Sequence, residues 1–99
     1  FNIYPSDLEA ILSKHPAVQE CAIVGIKSVE WGETPLAFAV LRPGMSATSD
    51  ELREFANAKL GKTQRISRIE IVESLPRSAI GKILKRELRD EFEAKRAQA

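Results

Sequence analysis

Two short and almost uninterrupted apolar runs constrain the fold of this chain more than any other feature. The first lies within residues 18–26 and is nearly continuous over residues 21–24, and the second spans residues 35–41. Runs of this length, bounded by glycine and proline, are typical of buried central strands. Because only the short segment 27–34 connects them, we predict that the two strands are antiparallel neighbours in one sheet.

Helical patterns surround these strands. Residues 6–9 and 48–51 each match a capping box, with Ser6 and Thr48 as the predicted N-caps of two helices. Residues 66–73 predict a third strand. A last helix carries apolar side chains at intervals of four: Leu84, Leu88 and Phe92. The order helix, strand, strand, helix, strand, helix predicts an α+β fold in which helices cover a small sheet of about three main strands.

Composition predicts one globular domain over residues 1–99. The apolar fraction is 43% and the charged fraction is 29%, as in ordinary soluble domains. No apolar run approaches the ~20 residues that cross a bilayer, so no membrane span is expected. The single cysteine, Cys21, cannot form an internal disulfide, which fits a cytoplasmic protein. Because the chain begins at Phe1, we expect it to be part of a longer protein.

The charge of the chain is uneven, with an acidic excess in residues 1–60 and a basic excess in residues 61–99. A basic half can attract nucleic acid or a phosphate-bearing ligand. For residues 86–96 the favoured interpretation is a salt-bridged helix surface, because acidic residues are interleaved there. A small nucleic-acid-binding module is therefore an alternative function, although no Gly-x-x-Gly loop joins two helices and the strands lack paired exposed aromatics.

The candidate functional residues lie in two of the segments that connect the predicted helices and strands. Gly81 and Lys82 follow a proline-marked turn and precede the last helix. Gly81 has no Cβ, so backbone or ligand can approach it, and the flexible Lys82 ammonium can reach a phosphate or carboxylate. On their own they also fit an ordinary solvated lysine at a helix start. Trp31, in the connection between the first two strands, either covers the core or stacks on a ring such as a nucleobase.

Several segments together resemble the C-terminal domain of the adenylate-forming enzymes, which include acyl- and aryl-CoA synthetases, peptide-synthetase adenylation domains and luciferases. The matching segments are residues 2–5 with 8–9, 15–18, 22–25, 31–33, 37–41, 75–77 and 81–86. They cover nearly the whole chain in the family's order. The resemblance, closest to a fatty-acid- or aryl-CoA ligase, implies the mobile C-terminal domain of an acyl-CoA synthetase. Such an enzyme activates a carboxylic acid with ATP to an acyl-adenylate and transfers the acyl group to CoA.

The resemblance also implies site residues. Lys82 is expected to be the catalytic lysine that contacts the acyl carboxylate and the α-phosphate of ATP during adenylation, with Gly81 beside the bound cofactor. Trp31 is expected to stack on the adenine of CoA, and Arg65 to lie near the CoA phosphates. Ile66 departs from the family pattern, which has a proline at this position. No metal ligand is expected in this chain, because Mg²⁺ would arrive with ATP and be bound mainly by the missing domain.

The implied partner is the enzyme's own N-terminal adenylation domain, which, with the hinge, is expected to be absent from this chain. The isolated domain should therefore be inactive. A protein lysine acetyltransferase and a deacetylase are further implied partners, since acylation of Lys82 would neutralise its charge and block adenylation. An adenylation domain that serves a carrier protein instead of CoA is the alternative within the family.

Overall fold

A three-stranded sheet lies between helices on both of its faces. The computed structural model describes residues 4–28, 32–61 and 65–98. In chain order its elements are α1 (Pro5–Leu12), β1 (Val18–Ser28), β2 (Gly32–Leu41), α2 (Ser49–Asn57), β3 (Arg68–Ile71) and α3 (Lys85–Gln98). This order confirms the predicted α+β fold.

The strands lie in the order β1-β2-β3. β1 and β2 are antiparallel, with Ile23 opposite Ala37, which confirms the predicted hairpin. β3 runs parallel to β2, with Ile69 opposite Ala37. It is shorter than the predicted strand over residues 66–73 because only residues 68–71 pair with β2.

The two faces of the sheet have separate cores because successive strand residues point to opposite sides. The first core lies under α1 and α2 and includes Leu8, Leu12, Ile23, Ala37, Leu52 and Ile69. The second lies under α3 and includes Val24, Leu36, Phe38, Leu75, Leu88 and Phe92. Helices on both faces explain why the strands read as continuous apolar runs instead of alternating ones.

The predicted capping box at the start of α1 is wrong. The N-cap is Tyr4, in extended backbone with φ −104° and ψ 102°, and Pro5 is the first helical residue. The Asp7 N–H donates to the Tyr4 carbonyl at 2.9 Å. Proline suits this position because it has no N–H to satisfy and its φ is already helical. Ser6 therefore lies inside the first turn.

The predicted capping box of α2 is confirmed at its N-cap. Thr48 Oγ1 accepts the backbone N–H of Glu51 at 3.1 Å. Leu52 and Ala56 are fully buried on the inner face. α2 ends at Asn57. Within residues 4–28, 32–61 and 65–98, no helix combines the length and the hydropathy of a membrane span.

Candidate functional site

A narrow hairpin between β3 and α3 carries the candidate lysine. Arg77 and Ile83 pair as an isolated antiparallel bridge, and we call residues 77–83 the lysine hairpin. The Ser78 N–H donates to the Lys82 carbonyl at 2.8 Å, and the Gly81 N–H donates to the Ser78 carbonyl at 2.9 Å. These bonds close the hairpin tightly around residues 79 and 80.

Both arms of the lysine hairpin are rooted in the core beneath α3. Leu75, just before the hairpin, is buried there, and Ile83 packs against the same core. The Leu84 N–H also donates to the Pro76 carbonyl at 2.8 Å, which joins the two arms below the bridge. The apolar residues of this segment therefore hold its base, while its tip projects into solvent.

Gly81 adopts a backbone conformation that favours glycine. Its φ is +86°, in the left-handed region. A Cβ built on Gly81 would meet no atom of the described chain within 4 Å. The turn therefore requires glycine because of its backbone angle and not because another part of this domain approaches closely. The open space around Gly81 leaves room for a ligand. The expected role of Gly81 beside a cofactor stays a prediction.

Lys82 is exposed at the end of this turn. Its backbone is held on both sides, because its carbonyl accepts from Ser78 and its N–H donates to Ser78 Oγ at 3.3 Å. None of the ion pairs found within residues 4–28, 32–61 and 65–98 includes its ammonium. Ile80, two residues before Lys82, is 88% exposed. The hairpin thus presents a cation on a fixed backbone and, two residues earlier, an exposed apolar side chain.

Arg77 links the lysine hairpin to β1. Its Nη1 donates to the Gly81 carbonyl at 3.0 Å, and its Nη2 pairs with the carboxylate of Glu20. Sequence reasoning missed this ion pair. Arg77 and Glu20 are 57 residues apart, and no local spacing pattern in the sequence marks two such residues as partners. Only the packing of the hairpin against the sheet brings them together.

A second ion pair holds the chain just after the hairpin. Lys85, the first residue of α3, lies 2.7 Å from the Glu9 carboxylate of α1. The same Glu9 oxygen accepts the backbone N–H of Ile23 at 2.8 Å. Lys82 is therefore flanked along the chain by two charged residues that are both tied to the α1–β1 part of the domain.

Arg65 is held in a different part of the molecule. It is exposed and precedes Ile66, whose N–H and carbonyl both bond to the buried side chain of Asn57, at 2.8 and 3.0 Å. Next along the chain, the Ser67 N–H donates to the Pro35 carbonyl. Arg65 thus lies toward the end of the sheet where β1 and β2 connect.

The structure brings Gly81 and Lys82 together in one hairpin but anchors Arg65 elsewhere. Glu20, the anchor of the hairpin, lies opposite Val40. Pro35 and Val40 are separated by roughly 16 Å along β2, at about 3.3 Å per residue. Trp31 lies outside the described residues, so its predicted stacking role stays a prediction.

Cys21 is a buried thiol without a nucleophilic role in this arrangement. Burial raises its pKa, a hydrogen bond with the Ser13 hydroxyl lowers it in part, and the nearby Glu9 carboxylate raises it further. The Sγ atom also donates to the Glu9 carbonyl at 3.6 Å. A thiol held in its protonated form is a weak nucleophile, so Cys21 acts as a packing residue.

A family model identifies the class of protein to which this domain belongs. Residues 7–82 match the family model described as the AMP-binding enzyme C-terminal domain, and the chain belongs to that family. The match ends at Lys82. The predicted resemblance is confirmed.

Curated relatives with related sequences are much longer than this chain. A 2-succinylbenzoate–CoA ligase from Geobacillus kaustophilus is 41% identical over 89% of this chain and 18% of its own length. A fatty acid–[acyl-carrier-protein] ligase from Streptomyces coeruleorubidus is 41% identical over 92% of this chain and 18% of its own length. A 4-coumarate:CoA ligase from Petunia hybrida is 39% identical over 90% of this chain and 16% of its own length. The chain thus spans less than a fifth of each of these relatives.

Solved structures agree with this assignment. ATP-bound MatB from Rhodopseudomonas palustris superposes with a TM-score of 0.88 at 27% identity, over 93% of this chain and 18% of that chain. An acyl-CoA synthetase from Brucella canis superposes with a TM-score of 0.87 at 34% identity, over 97% of this chain and 18% of that chain.

Proposed function

We propose that this chain is the mobile C-terminal domain of an ATP-dependent acyl-CoA ligase, and that Lys82 supports its first half-reaction. In that step a carboxylate attacks the α-phosphate of ATP, giving an acyl-adenylate and pyrophosphate. In the second step the CoA thiol attacks the acyl carbon and AMP leaves. The observation that carries the proposal is the exposed Lys82 ammonium, unpaired within the described residues, on a backbone fixed by the lysine hairpin.

The chemistry of adenylation requires such a cation. Two anionic reactants must meet, and negative charge moves toward the departing pyrophosphate. A positioned ammonium stabilises that charge best where water is excluded, which the missing N-terminal domain would provide. One donor of this kind is typically worth about 3–4 kcal/mol of the barrier. The isolated domain lacks the ATP- and acyl-binding partner and should be inactive.

Mg²⁺ belongs to the ATP that the N-terminal domain binds. Within the described ranges no three His, Cys, Asp or Glu side chains are grouped so that they could hold a metal ion. The proposed role of this domain is to bring Lys82 to the nucleotide. A cytoplasmic location is part of this proposal, because ATP and CoA are available there and a free thiol such as Cys21 stays reduced.

The second half-reaction is proposed to use another part of the domain. Arg65 would contact the CoA phosphates and Trp31 would stack on the CoA adenine. The separation between the anchors of Arg65 and of the lysine hairpin supports an alternation of two poses. One pose presents Lys82 to the adenylation site, and the other presents the end of the sheet that carries Arg65.

The acceptor is proposed to be CoA, and a carrier protein is the second candidate. That alternative is favoured by the fatty acid–[acyl-carrier-protein] ligase, which is as similar to this chain as the 2-succinylbenzoate–CoA ligase. CoA is preferred because Trp31 and Arg65 match the residue types that would bind its adenine and phosphates. Assaying thioester formation with free CoA and with a phosphopantetheinylated carrier protein separates the two.

Acylation of Lys82 is a proposed means of control. Its exposure gives a protein lysine acetyltransferase access to the ammonium. The product amide carries no positive charge, so adenylation would stop until a deacetylase restored the amine.

The deciding experiment uses the full-length enzyme with Lys82→Ala, and Lys95→Ala as an exposed-lysine control on α3. The acid is chosen from 2-succinylbenzoate, 4-coumarate and a medium-chain fatty acid. Pyrophosphate release should fall about 10²–10³-fold in Lys82→Ala. Thioester formation from preformed acyl-adenylate and CoA should change little. Equal losses in both half-reactions would contradict the role given to Lys82.

A further inference from the structure

We propose that Arg77 and Glu20 are positioning residues for Lys82. Their ion pair locks the lysine hairpin to β1, so that the ammonium is delivered by movement of the whole domain and not by bending of the hairpin. This inference rests on the proposed role of Lys82 in adenylation.

The first support is the geometry of the Arg77 guanidinium. One of its nitrogens holds the Gly81 carbonyl at 3.0 Å while another pairs with Glu20. The planar fork fixes the angle between these two contacts. The orientation of the Gly81 carbonyl sets the direction in which the chain enters Lys82. Through these two contacts, Arg77 fixes the orientation of the Gly81–Lys82 peptide group relative to β1.

The second support is the conformational freedom that the clamp must restrain. Gly81 lies at φ +86°, and glycine reaches more backbone conformations than any other residue. Ile80 is 88% exposed, so the tip of the hairpin has little packing of its own. Without the Arg77 contact, the peptide group before Lys82 would depend on the bonds with Ser78 alone.

The third support is that the pair is poorly suited to a purely stabilising role. The side chains of Arg77 and Glu20 are 42% and 27% exposed. Partly exposed ion pairs contribute little to global stability. The main effect of this pair is then local: it fixes one surface turn relative to one strand.

The experiment compares Arg77→Gln, Arg77→Lys and Glu20→Gln in the full-length enzyme, using the acid identified in the Lys82 experiment. Arg53→Gln is the matched control, since Arg53 forms a partly exposed ion pair with Asp50 on α2. We expect kcat of adenylation to fall about ten- to a hundredfold in Arg77→Gln, as for a displaced catalytic group. Its KM for ATP and the thioester half-reaction should stay as in the wild type, and Glu20→Gln should show the same pattern more weakly.

Arg77→Lys separates the clamp from simple charge. It keeps the positive charge, but one nitrogen replaces the fork that reaches two acceptors. We expect it to resemble Arg77→Gln. Wild-type adenylation in Arg77→Lys would overturn the proposal, as would equal losses in both half-reactions or an equal loss in Arg53→Gln.

Two further measurements separate this proposal from the role of Lys82 itself. Adding Arg77→Gln to Lys82→Ala should cause no further loss of adenylation, because residues that act through one group are not additive. A multiplied loss would mean that Arg77 acts independently and would overturn the clamp. Amide hydrogen exchange over residues 77–83 should accelerate in Arg77→Gln and Glu20→Gln but not in Lys82→Ala, and unchanged exchange in the first two would also overturn it.

The failure of each proposal has its own signature. If Lys82→Ala abolishes adenylation while Arg77→Gln is fully active, only the positioning role is wrong. If Lys82→Ala adenylates normally, the proposed function is wrong, and the positioning role with it.

Discussion

Glu9 of α1 and Lys85 of α3 form an ion pair at the edge of the sheet, with 2.7 Å between Oε2 and Nζ. The same oxygen accepts the Ile23 N–H at 2.8 Å. Among the described strands β1 has a neighbour only on its β2 side, and the Ile23 N–H bonds to this carboxylate instead of to a strand. One carboxylate therefore caps the open edge of β1 and connects two helices that lie on opposite faces of the sheet.

Two substitutions of Glu9 should separate its two contacts. Glu9→Gln keeps an acceptor for Ile23 and loses only the ion pair, so we expect a loss of about 0.5 kcal/mol in the free energy of unfolding. Glu9→Ala also leaves the Ile23 N–H without this partner and should cost about 1–2 kcal/mol. Urea unfolding of this chain at low and high salt measures both. Glu70→Gln, which removes the exposed pair with Arg68, is the control. Equal losses in the two Glu9 variants would contradict the double role.

Asn57 should be one of the most sensitive polar positions. It is buried and makes two hydrogen bonds to the backbone of Ile66, which is itself 1% exposed. Asn57→Ala leaves a buried N–H and a buried carbonyl unpaired, and we expect a loss of about 2–4 kcal/mol in the free energy of unfolding.

Chemical denaturation of Asn57→Ala tests this, with Ser67→Ala as the control. Ser67 Oγ donates to the Pro35 carbonyl at 2.9 Å, but the residue is exposed. Water can replace that bond, so Ser67→Ala should cost about 1 kcal/mol or less. If Asn57→Ala lowers the free energy of unfolding no more than Ser67→Ala does, the two buried hydrogen bonds of Asn57 do not have the predicted stabilising role.

Gly81→Ala and Gly61→Ala should behave differently although both positions have open space for a Cβ. Gly81 has φ +86°, whereas Gly61 has no positive φ. Alanine at residue 81 should cost about 1–2 kcal/mol of local strain. Alanine at residue 61 should be neutral or slightly stabilising, because it restricts the unfolded chain.

The strain at residue 81 lies in a surface turn, so it should appear mainly as faster amide exchange across residues 77–83. Exchange rates in that segment, measured by mass spectrometry for both variants, provide the comparison. Unchanged exchange in Gly81→Ala would show that the turn tolerates a side chain.

Cys21 should make the domain less stable at alkaline pH. Burial raises its pKa in the folded state above the usual 9.0. The unfolded chain then releases its thiol proton first, and the free energy of unfolding falls as pH rises from the usual pKa to the raised one. Below that window the contribution is fully present.

Urea unfolding at about pH 8 and about pH 10.5 measures this loss, with Cys21→Ala as the reference for all other titrating groups. The wild type should lose more stability across the interval than Cys21→Ala does. Parallel losses in the two proteins would mean that the thiol has no part in the pH dependence.

Local patterns predicted much of the fold because they report local physics. The runs at 18–26 and 35–41 indicated buried strands, and a short connection favoured the antiparallel hairpin that β1 and β2 form. Thr48 was predicted as an N-cap because a hydroxyl that accepts a helix N–H is a short-range interaction. The prediction at Ser6 was wrong because Pro5 can begin the helix by itself and because the Glu9 side chain bonds to β1 and α3 instead.

Three features could be predicted from the amino-acid sequence: the order of the elements, the burial of β1 and β2, and a glycine–lysine turn before the last helix. Each of these depends on residues close together in the chain. The parallel pairing of β3 with β2, the contacts of Glu9 with β1 and α3, and the pairing of Arg77 with Glu20 depend instead on how distant segments pack together. Charged side chains have no periodic pattern that identifies their partners, so these contacts appear only once packing of the two apolar cores has fixed the distances between distant segments.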